Sequence, residues 1–380
     1  MNFATIDGET FREFASKSKY KSFMQTPEIA KLREQSGWTV YYFAVTEESQ
    51  PNAAIREVAK SAARTSSGAK PQSEKDSIIA AAMLVAKPSF LGKSVFHCPG
   101  GPLLDYENKT LLHFFVKNLK SFIKSHNGYV LHIDPYYEIN RYDRNGEPLS
   151  NYKSHQEATH YLESLGFSEL KDASQPKYLF VMELDGRTPD QILSDFKRNT
   201  RNHVKKAEKK GVKVRELKRE ELGTLKRITE STSKRRNFTD RSLSYYEQMY
   251  DLFAPRHEVK FLVAEADGIP LSAAMFMLYG DEVVYLFSGS DEKYMKEYNA
   301  QYAIQWHMIK YAAEHGYKIY NFYGIHGLPD KSDPDYGIYD FKKGFGADYG
   351  RIVELIGTFE LPANKPFFYL HQLLSKLKHH

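Results

Sequence analysis

One cysteine, Cys98, stands in a chain of 380 residues, which excludes a disulfide framework and a cysteine-rich metal site. No stretch approaches the roughly 20 apolar residues of a membrane-spanning helix. The N-terminus, MNFATIDGETFREF, has no signal-peptide core, and a cytoplasmic chain is expected. The patterns GxxxxGKS/T, GxGxxG after a strand, HExxH and GxSxG are missing, and the 14 histidines show no metal-ligand spacing. Neither a metal nor a bound cofactor is expected. Cys98, in FHCPGGPLLDY, has no basic neighbour to activate it and reads as a buried structural thiol. Aromatic residues run the other way. The 27 Tyr and 24 Phe suit cavities for large polar ligands, although most must serve packing.

Positive charge is unevenly spread. The net charge is only +5, yet eleven of the 23 residues from Lys197 to Arg219 are Lys or Arg and two are acidic. Phe196, Thr200, Val204 and Ala207 recur at helical spacing in this run, so one face can pack while the cations point outward. Gly211 supplies a stop, and VKVRE beyond it reads as extended. A basic helix on a folded body suits a polyanion, either nucleic acid or a phosphorylated substrate.

The rest of the chain reads as one plan used twice. The first copy has a helical start around Glu9 to Arg33, strands at Trp38–Thr46, Ile78–Lys87 and Ser94–Cys98, and a helix from Asn108 to Ser125. Gly128-Tyr129 and the strand VLHIDP follow. The second has helices at Glu220–Ser233 and Ser242–Phe253, strands FLVAEA, PLSAAMFML and EVVYLFSGS, a helix from Asn299 to His315, Gly316-Tyr317 and KIYNFYGI. Asp267-Gly268 and Gly280-Asp281 are hairpin signals. This is a mixed α/β chain in two units, with a single large domain as the alternative. Residues 47–77, rich in Ala, Ser, Lys and Pro and without an aromatic, read as a mobile insertion between two strands.

Candidate chemistry gathers at three places. Asp134-Pro135 and Tyr323-Gly324 lie at corresponding strand ends, where ligand contacts are common. Arg241 with Tyr245 and Tyr246 can grip a phosphate and stack on a ring. Lys342 and Lys343, in YGIYDFKKGF, read from composition as an exposed pair in a loop. The sharper alternative turns one of them inward to stabilise developing negative charge.

Several segments, in order, resemble the FemABX family of peptidoglycan interpeptide-bridge aminoacyltransferases. They are SFMQTPEIAKLREQSGW, HCPGGPLLDY, YVLHIDPYY, KRNTRNHVKKAEKKGVKV, SKRRNFTDRSLSYYEQM, LSAAMFMLYGDEVVYLFSGS and IYDFKKGFGAD, spanning nearly the whole chain outside 47–77. The resemblance implies two tandem GNAT-like domains: 1–176 with 347–380, and 177–346. FLVAEADGIPLSAAMFML leaves no room for the coiled-coil arm of some members. It also implies an aminoacyl-tRNA donor and a UDP-MurNAc-pentapeptide or lipid II acceptor. The amino acid, Gly, Ala or Ser, would join the stem-peptide side-chain amine. A monomer is expected, with peripheral contact with the inner face of the cytoplasmic membrane.

By the same resemblance, Lys342, with Lys343 beside it, meets the tetrahedral oxyanion, and Asp134 orients the amine or meets the precursor. Lys31 or Arg33, with Arg241 and Tyr245, holds the precursor's phosphates, and Tyr285 or Phe287 lines the cleft. Lys197, Arg198, Arg201, Lys205, Lys206, Lys209 and Lys210 face tRNA. An aminoacyl ester is already activated, so its transfer needs only a placed amine and a cation. The rival readings are a CoA-dependent N-acyltransferase and a non-catalytic RNA-binding protein. Against the first, the turn opening the helix in YMKEYNAQYAIQ has no glycine to bring backbone amides to a pyrophosphate.

Overall fold

The computed structural model describes residues 1–47, 77–171, 173, 175–236 and 239–378. The inner part of the expected insertion, 48–76, lies outside the described residues. In the first half, β1 (Asn2–Thr5), α1 (Gly8–Lys17), α2 (Pro27–Gln35), β2 (Thr39–Glu47), β3 (Ser77–Pro88) and β4 (Ser94–Gly100) precede α3 (Lys109–Ser125). Then come β5 (Gly128–Pro135), β6 (Glu138–Asp143), α4 (Glu157–Ser164) and β7 (Ser168–Glu169). The second half opens with β8 (Tyr178–Glu183), α5 (Pro189–Asp195), α6 (Arg198–Lys209) and β9 (Lys213–Glu216). It continues through α7 (Leu222–Arg236), α8 (Leu243–Phe253), β10 (Val259–Ala266), β11 (Ile269–Tyr279) and β12 (Glu282–Ser290). Helices α9 (Glu292–Tyr298) and α10 (Ala300–Glu314) lead to β13 (Ile319–Ile325), and α11 (Tyr336–Gly346), β14 (Gly350–Leu355), β15 (Phe359–Pro362) and α12 (Lys365–Lys378) finish the fold.

Local chemistry sets the boundaries. The helical start expected over Glu9 to Arg33 is two helices, because Thr26 caps the Ile29 amide and Pro27 occupies the first turn of α2. The basic run forms α6 with Thr200, Val204 and Ala207 buried, and Gly211 leaves it at φ 73°. Phe196 is buried as well, but it sits at the end of α5. Asp267 and Gly268, both at positive φ, turn β10 directly into β11.

Two mixed sheets result, ordered β1-β2-β3-β4-β5-β15-β7 and β6-β14-β8-β13-β12-β11-β10-β9. Strands cross between the halves: β6 joins the second sheet beside β14, and β15 returns to the first between β5 and β7. One apolar cluster also spans both halves, packing Phe11, Ile29 and Met83 with Leu222, Met249 and Phe261. Burial of this shared layer fixes the two sheets against each other.

Candidate active site

Each sheet contains one parallel pair of neighbours, β4 with β5 and β12 with β13. The first stays paired from Ser94↔Gly128 to Gly100↔Pro135. The second is paired only from Glu282↔Ile319 to Val284↔Asn321. On its other side β13 skips Phe322 and Tyr323 in its pairing with β8. Tyr323 takes a left-handed φ of 63°, rare for an aromatic residue, in the gap of this pairing. The second sheet therefore opens at its middle.

Lys342 fills that opening. FKKGFG is not a loop but the end of α11, and Lys342 is 6% exposed. Its Nζ donates to the carbonyls of Tyr323, at 3.3 Å, and Gly324, which lie beyond the point where pairing with β12 stops. Burial lowers its pKa to about 7, which disfavours the charged form by roughly 5 kcal/mol relative to water. Such a cation gains most from a negative charge arriving beside it. Lys343 is half-buried and lies over the Tyr339 ring at 5.3 Å, and the adjacent Lys342 alone of the two lines the cavity. Glycines make the placement possible: at Gly344 a side chain would strike Thr200 of α6, and its carbonyl accepts from Lys197 N at 2.9 Å.

The cavity beside Lys342 has a volume of about 700 Å³. One wall is a hydroxyl and amide network: Tyr285 donates to Ser288 and accepts from Gln301, which in turn accepts from Ser272. The Ser290 hydroxyl extends it by donating to Gln301 at 3.2 Å, and the Ser290 amide donates to the Thr232 hydroxyl at 3.0 Å. His203, on α6, lines the same cavity and packs its ring on Tyr302 at 4.6 Å. Arg235, Arg236 and Lys296 add positive charge to the lining. Asn299, the left-handed cap of α10, also lines it, with Nδ2 buried and unbonded among the described residues.

Tyr285 and Phe287 lie on opposite faces of β12. Two residues apart in a regular strand they would share a face, but the register shifts so that Tyr285 pairs with Phe276 and Phe287 with Met275. Leu286 is the extra residue of this bulge. Tyr285 thus faces the Lys342 cavity, while Phe287 turns to Tyr245 and Tyr246 at 6.0 and 6.1 Å. Arg241 lies over Tyr245 and Phe287, at 5.2 and 5.5 Å. Arg33 comes to the same place from α2. Its pKa is lowered first by burial and also by nearby Arg241, and its Nε is buried without a partner among the described residues. Two guanidiniums with no ion-pair partner among the described residues make a receptor for a dianion. Lys31, two residues earlier, is exposed on α2.

Asp134 closes the first sheet's parallel pair. Its carboxylate accepts from the Gly100 amide and faces His97 Nε2 at 3.0 Å. A small cavity joins Asp134 to Tyr323, and Tyr323 also lines the Lys342 cavity and a third cleft of about 560 Å³ between the sheets. In the sequence Tyr323 stands out only as a strand end. The signal was the Tyr-Gly pair where a strand should continue.

Along α6 the cations divide. Lys197 pairs with Asp340 at 3.0 Å, Lys210 with Glu297 at 3.3 Å, and Arg201 donates to the carbonyls of Ser194 and Phe196. Arg198, Lys205, Lys206 and Lys209 are exposed with no ion-pair partner among the described residues.

The FemAB family model matches residues 6–268 and 260–376. Aminoacyltransferase FemA of Staphylococcus epidermidis is 27% identical over 447 aligned positions, which take in the whole of both chains. Aminoacyltransferase FemA of Staphylococcus aureus strain MRSA252 is 26% identical, covering all of this chain and 99% of that one. A crystal structure of FemX superposes with a TM-score of 0.77 and 22% identity, over 97% of this chain and 99% of that one. A tandem GNAT protein from the clavulanic acid biosynthesis pathway gives 0.53 and 9%, over 96% and 98%. The fold is thus a tandem of GNAT-like units, and the two-residue β10–β11 turn leaves no place for a coiled-coil arm. The chain belongs to the FemAB family and is an aminoacyltransferase.

Proposed function

We propose that the protein transfers Gly, Ala or Ser from aminoacyl-tRNA to the stem-peptide side-chain amine of a peptidoglycan precursor, building the interpeptide bridge. The observation that carries this reading is one continuity: His203 of the basic helix lines the same cavity as Lys342. An RNA strand lying on Arg198, Lys205, Lys206 and Lys209 has a path to the buried amine, and its phosphates supply the charge those cations lack.

The acceptor comes from the opposite face. Arg33 and Arg241 take the diphosphate of UDP-MurNAc-pentapeptide or lipid II, with Tyr245 and Phe287 packed against it. The two substrates would meet beside Tyr323, which lines the Lys342 cavity and stands near Asp134, Tyr245 and Arg241. The neutral amine attacks the ester carbonyl, an amide C–N bond forms, the ester C–O bond to ribose breaks, and the amine's proton passes to the departing hydroxyl. Lys342 stabilises the oxyanion, and Asp134 accepts a hydrogen bond from the incoming amine.

The test offers pooled labelled aminoacyl-tRNAs with either acceptor. Label in the precursor, in a form resistant to mild base, is the expected result. Consumption of acetyl-CoA with no label transferred would assign the site to a different donor.

A further inference from the structure

We propose that α12 and the Phe90–Gly92 turn form a docking surface for an anionic lipid bilayer. Apolar side chains are exposed here in unusual density: Leu91 is 71% exposed, Tyr369 59%, Leu373 58% and Leu377 65%, with Leu370 at 45%. At about 100° per residue, Tyr369, Leu370, Leu373 and Leu377 fall within an arc of roughly 100° on α12. The helix is held from its other side. Phe368 is buried against Tyr129 and Val130 of β5, and Phe367 meets Tyr129 at 5.1 Å. Phe90 packs on Phe367 and His371 at 6.1 and 5.5 Å, so Leu91 sits next to the helix.

Charge identifies the occupant. Lys93, Lys120, Lys124 and Lys365 line one hollow of about 490 Å³ at the start of α12, and no acidic residue lines it. The pKa of Lys120 is lowered, by burial first and then by Lys124 and Lys365, so these cations face one another uncompensated. A second protein would have to bring an apolar groove and an acidic patch in register. An anionic bilayer supplies both from its headgroups and acyl boundary, the pairing that amphipathic helices use in the interface. The surface lies on the first sheet's side, away from Lys342, and vesicle binding needs no turnover. Failure here and failure of the proposed reaction are therefore separate results.

The experiment is co-sedimentation of the full chain with vesicles of phosphatidylcholine alone or with 30 mol% phosphatidylglycerol. Partitioning at least tenfold stronger to the anionic vesicles, and weakened in 0.5 M NaCl, is expected. Leu373→Ser with Leu377→Ser should lower it at least tenfold without moving the melting midpoint, since both side chains are already exposed. Lys120→Gln with Lys124→Gln should lower it about fivefold per lysine. Unchanged binding in the leucine variant overturns the proposal. So does absence of vesicle binding with self-association that the same variant abolishes, which would give the surface to a second copy.

Discussion

The parallel pairs β4–β5 and β12–β13 share one plan and end differently. In the first, the ladder runs on to Gly100↔Pro135 and Asp134 ties the last turn through the Gly100 amide. In the second it stops at Val284↔Asn321, and a buried lysine takes over the carbonyls that a neighbouring strand would have satisfied. Backbone groups must find partners in either case. Closing the ladder satisfies them silently, while opening it places an amine of lowered pKa at the head of a cavity. On the proposed reading the two copies share the work unequally: the closed pair offers the carboxylate of Asp134, and the open pair offers the buried amine of Lys342.

The largest expected effect tests that division directly. Lys342→Ala should lower kcat about 100- to 1,000-fold with little change in either KM, the magnitude of losing an oxyanion donor. Asp134→Asn should cost less, about 10- to 100-fold; equal losses in single-turnover assays would break the contrast between the open and closed pairs. Next come Arg33→Ala and Arg241→Ala. Each should raise the acceptor's KM about tenfold through lost charge-assisted bonds, with kcat nearly unchanged, whereas exposed Lys31→Ala should change it less than twofold.

A smaller effect per residue is expected on α6. Replacing Lys205, Lys206 and Lys209 by Gln should weaken donor binding at low salt and flatten the dependence of log affinity on log salt by about 2. The last prediction is a slope in stability. Folded Lys342 releases its proton near pH 7, whereas an unfolded lysine holds it to about 10.5. The unfolded chain binds more protons across that interval, so wild-type stability rises with pH from about 7 to 10.5 and the burial cost is full below 7. Lys342→Met should lose that slope in melting curves at pH 6, 8 and 9.

Periodicity made most elements legible: the buried face of α6 and the Asp267-Gly268 turn stand as read. The α1–α2 break does not show in the helical patterning, which continues across the cap at Thr26. Lys342 and Lys343 could not be separated by composition. Their difference comes from the close approach of Gly344 to Thr200, 144 residues apart in sequence, which turns one inward. The resemblance offers either Tyr285 or Phe287 for the cleft; a strict two-residue period would put both on one face, and one extra residue in β12 makes them serve opposite faces. Tyr323 shows in the sequence only as a strand end before a glycine, and Asn299, left-handed between two helices, carries no motif that ties it to a cavity.

The late strands have a consequence for biosynthesis. Among the described strands β14 and β15 come after all the others in the chain, and they complete different sheets. Until residue 362 has left the ribosome, the edge of β5 that β15 will cover stays bare, and so does the side of β8 that β14 occupies. A nascent chain halted after α11 would hold Lys342 but neither finished sheet. Completion of both sheets by one short stretch couples them kinetically, and it makes β14 and β15 the checkpoint for a productive fold.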